Sequence, residues 1–229
     1  MKSLVFDTGP IISLATNNLL WVLEPLKNRF KGSFLITPGV KYELIDRPLK
    51  TKKFKFEALQ VLQVIHKGII EVMNDRTIKK KAHQLSDIAN RIFYAHNHSI
   101  TIVHLGEIGG IVAALHLNAP AFVIDERTTR LLIENPKKLT DILRHKLHTK
   151  ISVHQRNLKL LLSKVKGIRL LRSFELVIIA YELGLLDKYL LKIPSPKRTL
   201  IEAILWGVKL NGCAVSQKEI NQVVKLETK

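Results

Sequence analysis

Four acidic residues, Asp7, Glu43, Glu107 and Asp125, follow four short apolar runs along the chain. Asp7 ends Leu4-Val5-Phe6, and Asp125 ends the run from Ala121 to Ile124. Glu107 opens the helical stretch after Ile100 to Val103, while Glu43 lies in the first two turns after Phe34-Leu35-Ile36. If the runs are strands of an open parallel sheet, all four acids gather at the carboxyl edge of the strands, where such folds bind ligands. Like charges crowded in one crevice repel, and burial raises their pKa values unless a cation joins them. Magnesium or manganese suits oxygen donors of this kind, and no dense His/Cys set points to zinc. The chemistry such a centre supports is metal-assisted hydrolysis. Each acid alone has a plainer reading: Asp7 and Asp125 as turn residues and helix caps, Glu107 as a first-turn acid favoured by the helix dipole, Glu43 as a solvated side chain. It is their joint position at one edge that favours a site.

The elements that must position these acids show a repeated strand, turn and helix. After Asp7 comes Pro10, tolerated in a first turn, with Thr8 as candidate N-cap and Ile11, Ile12, Leu14, Leu19 and Leu20 in helical spacing. Strands are predicted at Leu4 to Phe6, Phe34 to Ile36, Ile100 to Val103, Ala121 to Ile124 and Ile168 to Leu171. Helices are predicted over Phe56 to Lys67, Ile78 to His98, Phe174 to Leu191 and Leu200 to Leu210. Ser216 with Glu219 makes a capping box for a last short helix. Strands alternating with helices imply an α/β fold whose central parallel sheet is covered on both faces. The chain divides into 1–133, a catalytic core; 134–166, a basic helical insertion; and 167–229, a last core strand with a helical extension.

Lys and Arg number 37 against 19 Asp and Glu, a formal charge of +18 over 229 residues. Such a surface attracts polyanions, nucleic acid first among them. The insertion concentrates the charge, and Lys137, Lys138, Arg144, Lys146, Lys150 and Arg156 are the candidate phosphate contacts. His145, His148 and His154 invite a zinc reading but lack a clear third and fourth ligand, and they read as phosphate contacts or surface. Trp21 and Trp206 sit in apolar stripes and read as core. A single cysteine, Cys213, forbids an internal disulfide, and no apolar stretch spans a bilayer. A soluble cytoplasmic protein is the expectation.

The same residues resemble the PIN-domain nucleases. Phe6-Asp7-Thr8-Gly9-Pro10 looks like that family's opening strand and acid, and Val40-Lys41-Tyr42-Glu43-Leu44 is similar to its second acidic stretch. Gly106-Glu107 looks like the third, and Val123-Ile124-Asp125-Glu126-Arg127 like the fourth. A weaker likeness continues at Leu171-Arg172-Ser173. The resemblance covers roughly residues 2 to 133 and rests on the order and spacing of short motifs. It implies a three-layer α/β/α fold, metal-dependent endoribonuclease activity leaving 5′-phosphate and 3′-hydroxyl ends, and a homodimer. In that reading Asp7 and Asp125 are direct ligands, Glu107 is a ligand or bridge, and Glu43 is a ligand or orients metal-bound water. Thr8 and Ser173 support the site, with Glu126 in reserve. Departures are Gly109-Gly110 within the helix of Glu107, Glu126 after Asp125, and Arg172-Ser173 near the last strand.

Two other functions fit the same sequence. One is an RNA-binding or assembly protein that keeps the fold without catalysis. The other is a toxin ribonuclease held by a small inhibitory protein partner.

Overall fold

A computed structural model describes residues 2–73 and 76–228. The chain opens with β1 (Ser3–Phe6), α1 (Thr8–Thr16), α2 (Leu23–Phe30), β2 (Ser33–Ile36) and α3 (Pro38–Lys41), which runs into a wide π-turn at Tyr42–Asp46. Next come α4 (Lys55–His66), β3 (Ile70–Val72), α5 (Arg76–Ala89), and a hairpin of β4 (Phe93–Ala95) and β5 (His98–Ser99). The middle holds α6 (Leu105–His116), β6 (Ala121–Val123), α7 (Arg127–Glu134), α8 (Pro136–Leu147), β7 (Ser152–Val153) and α9 (Gln155–Lys164). β8 (Leu170–Leu171), α10 (Ser173–Glu182), α11 (Pro196–Leu210) and α12 (Gln217–Glu227) complete it.

The central sheet has five parallel strands in the order β3-β2-β1-β6-β8, flanked by helices on both faces as a three-layer α/β/α fold. Alternation along β1 divides its side chains between the layers. Leu4 and Phe6 join a cluster with α1, α4, α10, α11 and α12, whereas Val5 joins one with α5, α6, α8 and α9. A parallel sheet needs such cover on both faces, which is why its strands carry unbroken apolar runs. The insertion at 134–166 has no core of its own: Leu139, Leu143, Ile151, Leu161 and Val165 are buried with Ile111 and Phe122. Trp21 and Trp206 pack against the first cluster. Among the described residues, no helix is long and apolar enough to cross a membrane.

Three predicted elements are corrected. Ile100 to Val103 is not a strand, because the Asn90 side-chain oxygen accepts from the amides of Ile102 (2.8 Å) and Val103 (3.0 Å) and its amide nitrogen donates to the Val103 carbonyl (3.1 Å). A side chain thus takes the place of a neighbouring strand, and the sheet's third strand in chain order is Ile70–Val72. The single helix expected from Ile78 to His98 stops at Ala89. His96 and Asn97, both at positive φ, instead form the two-residue loop between β4 and β5, the backbone that a tight hairpin requires. The stretch from Phe174 to Leu191 likewise divides, α10 ending before Gly184 at φ +70° and a short 3-10 turn following at Asp187–Tyr189. The capping box at Ser216 is present, with Glu219 Oε2 accepting from the Ser216 amide at 2.8 Å.

Candidate acidic site at the carboxyl edge

Adjacency of β1 and β6 brings Asp7 and Asp125 together. The Asp7 amide donates to the Val123 carbonyl at 2.9 Å, so Asp7 leaves β1 level with Ile124 and Asp125 follows one residue further along the neighbouring strand. Gly9 lies between them: a methyl group there would stand 3.3 Å from Asp125 Cβ and 3.8 Å from Asp7 Oδ2. Asp7, not Thr8, caps α1, accepting a long 3.5 Å bond from the Gly9 amide. It is 8 % exposed. Burial pushes its carboxyl up to about 7; repulsion from Glu107 and Glu43 adds to the rise, and the Thr8 and Gly9 amides oppose it.

Glu43 reaches the edge through the π-turn, which an Arg47 N–H to Tyr42 carbonyl bond of 2.9 Å closes. One extra residue in a helical turn re-aims the side chains around it, a device found often at functional sites. Here it carries Glu43 Oε2 to the Thr8 hydroxyl at 2.6 Å. Glu43 also lies against the start of α6, where a methyl group on Gly106 would meet Oε1 at 3.3 Å. A glycine at 106 thus lets the glutamate approach the helix that bears Glu107.

Glu107 Oε2 accepts from the Thr129 hydroxyl at 2.5 Å and from the His104 amide at 3.3 Å. Its pKa is raised, chiefly by burial, with the nearby Glu126 contributing and the Thr129 and His104 bonds opposing. Glu126 itself caps α7, accepting from the Thr129 amide at 2.6 Å. Thr129 therefore ties Glu126 to Glu107.

Asp125 is engaged differently. It is 2 % exposed; Oδ1 accepts from the Ser173 amide (2.7 Å), and Oδ2 accepts from the hydroxyls of Ser173 (2.7 Å) and Ser13 (2.8 Å). These bonds fix β6 against α1 and α10 and orient the Asp125 carboxyl, whose Oδ1 accepts a single hydrogen bond among the described residues. Ser173 is a partner of Asp125 from beneath. Cys213 adjoins this cluster, and its thiol is pushed up to about 12 by burial and by Asp125. Arg130 (3.3 Å) and Arg172 (3.1 Å) both donate to the carbonyl of Ala214, whose N–H donates to the Asp125 carbonyl at 3.1 Å.

Oxygen donors in a shared field of negative charge have the chemistry that a hard divalent cation requires. Glu43 and Glu107 each use Oε2 for their threonine, and among the described residues Oε1 of each has no hydrogen-bond partner. As they stand they do not close a cage: among the described residues, no three His, Cys, Asp or Glu side chains are grouped to hold a metal ion. The candidate phosphate contacts are all exposed: Lys137, Lys138, Arg144 and Lys146 on α8, which follows directly from α7, Lys150 in the connection beyond it, and Arg156 at the start of α9. Arg144 is paired with Asp141 at 3.2 Å. A separate cavity of about 550 Å³ lies beyond the far end of α6 from Glu107, between Lys81, Leu85, Val112, Leu115, His116 and Lys164.

Ser13, Thr129 and Ala214 were not singled out from sequence. Ser13 did leave a signal, a lone hydroxyl between Ile12 and Leu14 on an apolar helix, since a buried polar group needs a partner. Comparison with family models, with curated proteins and with solved structures returned no match to this chain.

Proposed function

We propose that this chain is a magnesium- or manganese-dependent endoribonuclease of the cytoplasm, acting on RNA phosphodiester bonds. The observation that carries the reading is Asp7, buried at a strand end and lifted to about 7 with Glu107 and Glu43 among the causes, in a protein of net charge +18. A carboxyl so destabilised in its charged form is relieved by a cation. Asp7, Glu43 and Glu107 would hold the ion after drawing closer together than they stand here, and the ion when bound would supply water activation and neutralise charge at a scissile phosphate. Thr8 and Thr129 hold Glu43 and Glu107 in place through one oxygen each. Asp125, oriented by Ser13 and Ser173, would add a further oxygen donor. The insertion's exposed cations would hold the RNA backbone, giving affinity without sequence choice.

The test is cleavage of end-labelled RNA with Mg²⁺ or Mn²⁺, comparing the wild type with Asp7→Asn. The substitution is expected to slow cleavage by at least about a hundredfold, equivalent to about 3 kcal/mol of transition-state stabilisation. Cleavage that survives both Asp7→Asn and EDTA would sink the site. The second reading, an RNA-binding protein that does not cut, is favoured by the open arrangement of the acids and predicts binding with no cleavage under any metal.

A further inference from the structure

We propose that Tyr42 and Phe56, with Lys50, Lys52, Lys53 and Lys55, form the track along which single-stranded RNA reaches the acids, bases stacking on the rings and phosphates on the lysines. The inference rests on the RNA reading above and names the form of RNA taken. Tyr42 immediately precedes Glu43 in the π-turn and is 52 % exposed; Phe56, in the first turn of α4, is 69 % exposed. The π-turn and α4 pack against each other, so both rings stand on the ground that carries Glu43. Two large aromatic faces left open to water, one adjoining Glu43 and the other on the helix packed against its turn, are unexpected unless something flat covers them, because an exposed ring forgoes the burial that favours it elsewhere.

The charge around the rings identifies the occupant. From Arg47 to Phe56 the chain reads Arg-Pro-Leu-Lys-Thr-Lys-Lys-Phe-Lys-Phe, with no acid. All four lysines are exposed, and among the described residues none is ion-paired. The Lys53 ammonium sits 4.8 Å from the Phe54 ring centroid. The segment is held in shape: the Thr51 hydroxyl bonds to the Pro48 and Lys53 carbonyls at 3.1 Å each. Cations alternating with aromatic rings are the surface that single strands use, where each base offers a π-face and each nucleotide a phosphate. A duplex hides those faces, and protein interfaces are depleted in lysine.

The experiment is a fluorescence-anisotropy titration of a labelled oligouridylate of about 12 nucleotides, done in EDTA over a range of salt so that binding is read without cleavage. Replacing both rings, Tyr42→Ala with Phe56→Ala, is expected to weaken binding about tenfold or more with the salt slope unchanged. Replacing the four lysines by alanine is expected to reduce the slope of log K against log salt by about 3. Phe56→Trp should bind as the wild type, whereas Phe56→Leu, apolar but without a π-face, should lose affinity as Phe56→Ala does. Leucine binding like phenylalanine, or ring and lysine variants all keeping wild-type affinity, would overturn the track. So would ring variants that change the sedimenting mass while RNA affinity stays constant, which would make the face a contact between copies. A chain that binds through these residues yet never cuts with Mg²⁺ or Mn²⁺ would leave the track standing and remove the nuclease reading.

Discussion

Ser173 gives Asp125 two hydrogen bonds, its amide to Oδ1 and its hydroxyl to Oδ2, each 2.7 Å long. With Ser13 at 2.8 Å from Oδ2, the carboxylate is held from α10 and α1 together. Hydrogen bonds to charged groups contribute about 1.5–3 kcal/mol each. Ser173→Ala should therefore lower unfolding stability by about that amount, read from the urea midpoint at constant m. Because both serines share Oδ2, Ser13→Ala and Ser173→Ala should couple in a double-mutant cycle. Strict additivity would mean that the two hydroxyls do not meet on one oxygen.

Asp7 gives a pH dependence of unusual sign. Its folded pKa of about 7 lies above the unfolded value of 3.8, so between those values the folded state binds more protons than the unfolded one. Stability then falls as pH rises from about 4 to about 7, with a slope of at most about 1.4 kcal/mol per pH unit. Asp7→Asn should flatten this window and raise stability at pH 7 in the absence of divalent ions. Mg²⁺ or Mn²⁺ should stabilise the wild type more at pH 8 than at pH 5. Thermal melts across pH, with and without metal, decide it; a wild-type profile identical to that of Asp7→Asn would refute the account.

Two adjacent glycines in α6 should respond oppositely. A methyl group on Gly110 would stand 2.4 Å from the ring of Phe122, while one on Gly109 meets nothing within 4 Å. Gly110→Ala forces the β6 ring aside and is expected to cost about 1–3 kcal/mol. Gly109→Ala removes backbone freedom from the unfolded chain and should gain about 0.5–1 kcal/mol. Melting temperatures of the two variants test the contrast, and equal shifts would contradict it.

Arg172 joins three partners: Glu175, Glu219 at 2.9 Å and the Ala214 carbonyl at 3.1 Å. Partial burial pushes Glu219 upward, but bonds from the Ser216 amide and hydroxyl and from Arg172 outweigh it and hold the carboxyl near 2. With the folded value below the unfolded one, this contribution is full above pH 4.5 and is lost as pH falls toward 2. Glu219→Gln should remove that acid sensitivity. It should also speed amide hydrogen exchange in α12 at neutral pH, while exchange in β1 and β2 stays slow.

Asp7 and Asp125 were legible because each ends an apolar run, and β1, β2 and β6 were legible because parallel strands buried on both faces cannot hide their composition. The third strand was not. Ile70–Val72 is three residues long with Glu71 at its centre, whereas Ile100 to Val103 looks better as a strand yet pairs with the Asn90 side chain. Ser173 was named only through the family resemblance, and Ser13, 112 residues from Asp125 in the chain, was hidden by that distance. No local pattern encodes such a contact. Glu43 was found by spacing, but the π-turn that aims it, closed by the Arg47 N–H to Tyr42 carbonyl bond, leaves no pattern in the residue types.

Ala214 has a bearing on how the chain is made. Its N–H serves the Asp125 carbonyl, and its own carbonyl receives Arg130 and Arg172. Synthesis proceeds from the amino end, and domains acquire structure as they emerge. A chain still attached to the ribosome thus carries Asp7, Glu43 and Glu107 well before the segment that seals Asp125 exists. The hold on Asp125 is therefore completed only when the segment around Ala214 joins strands and helices that precede it in the chain.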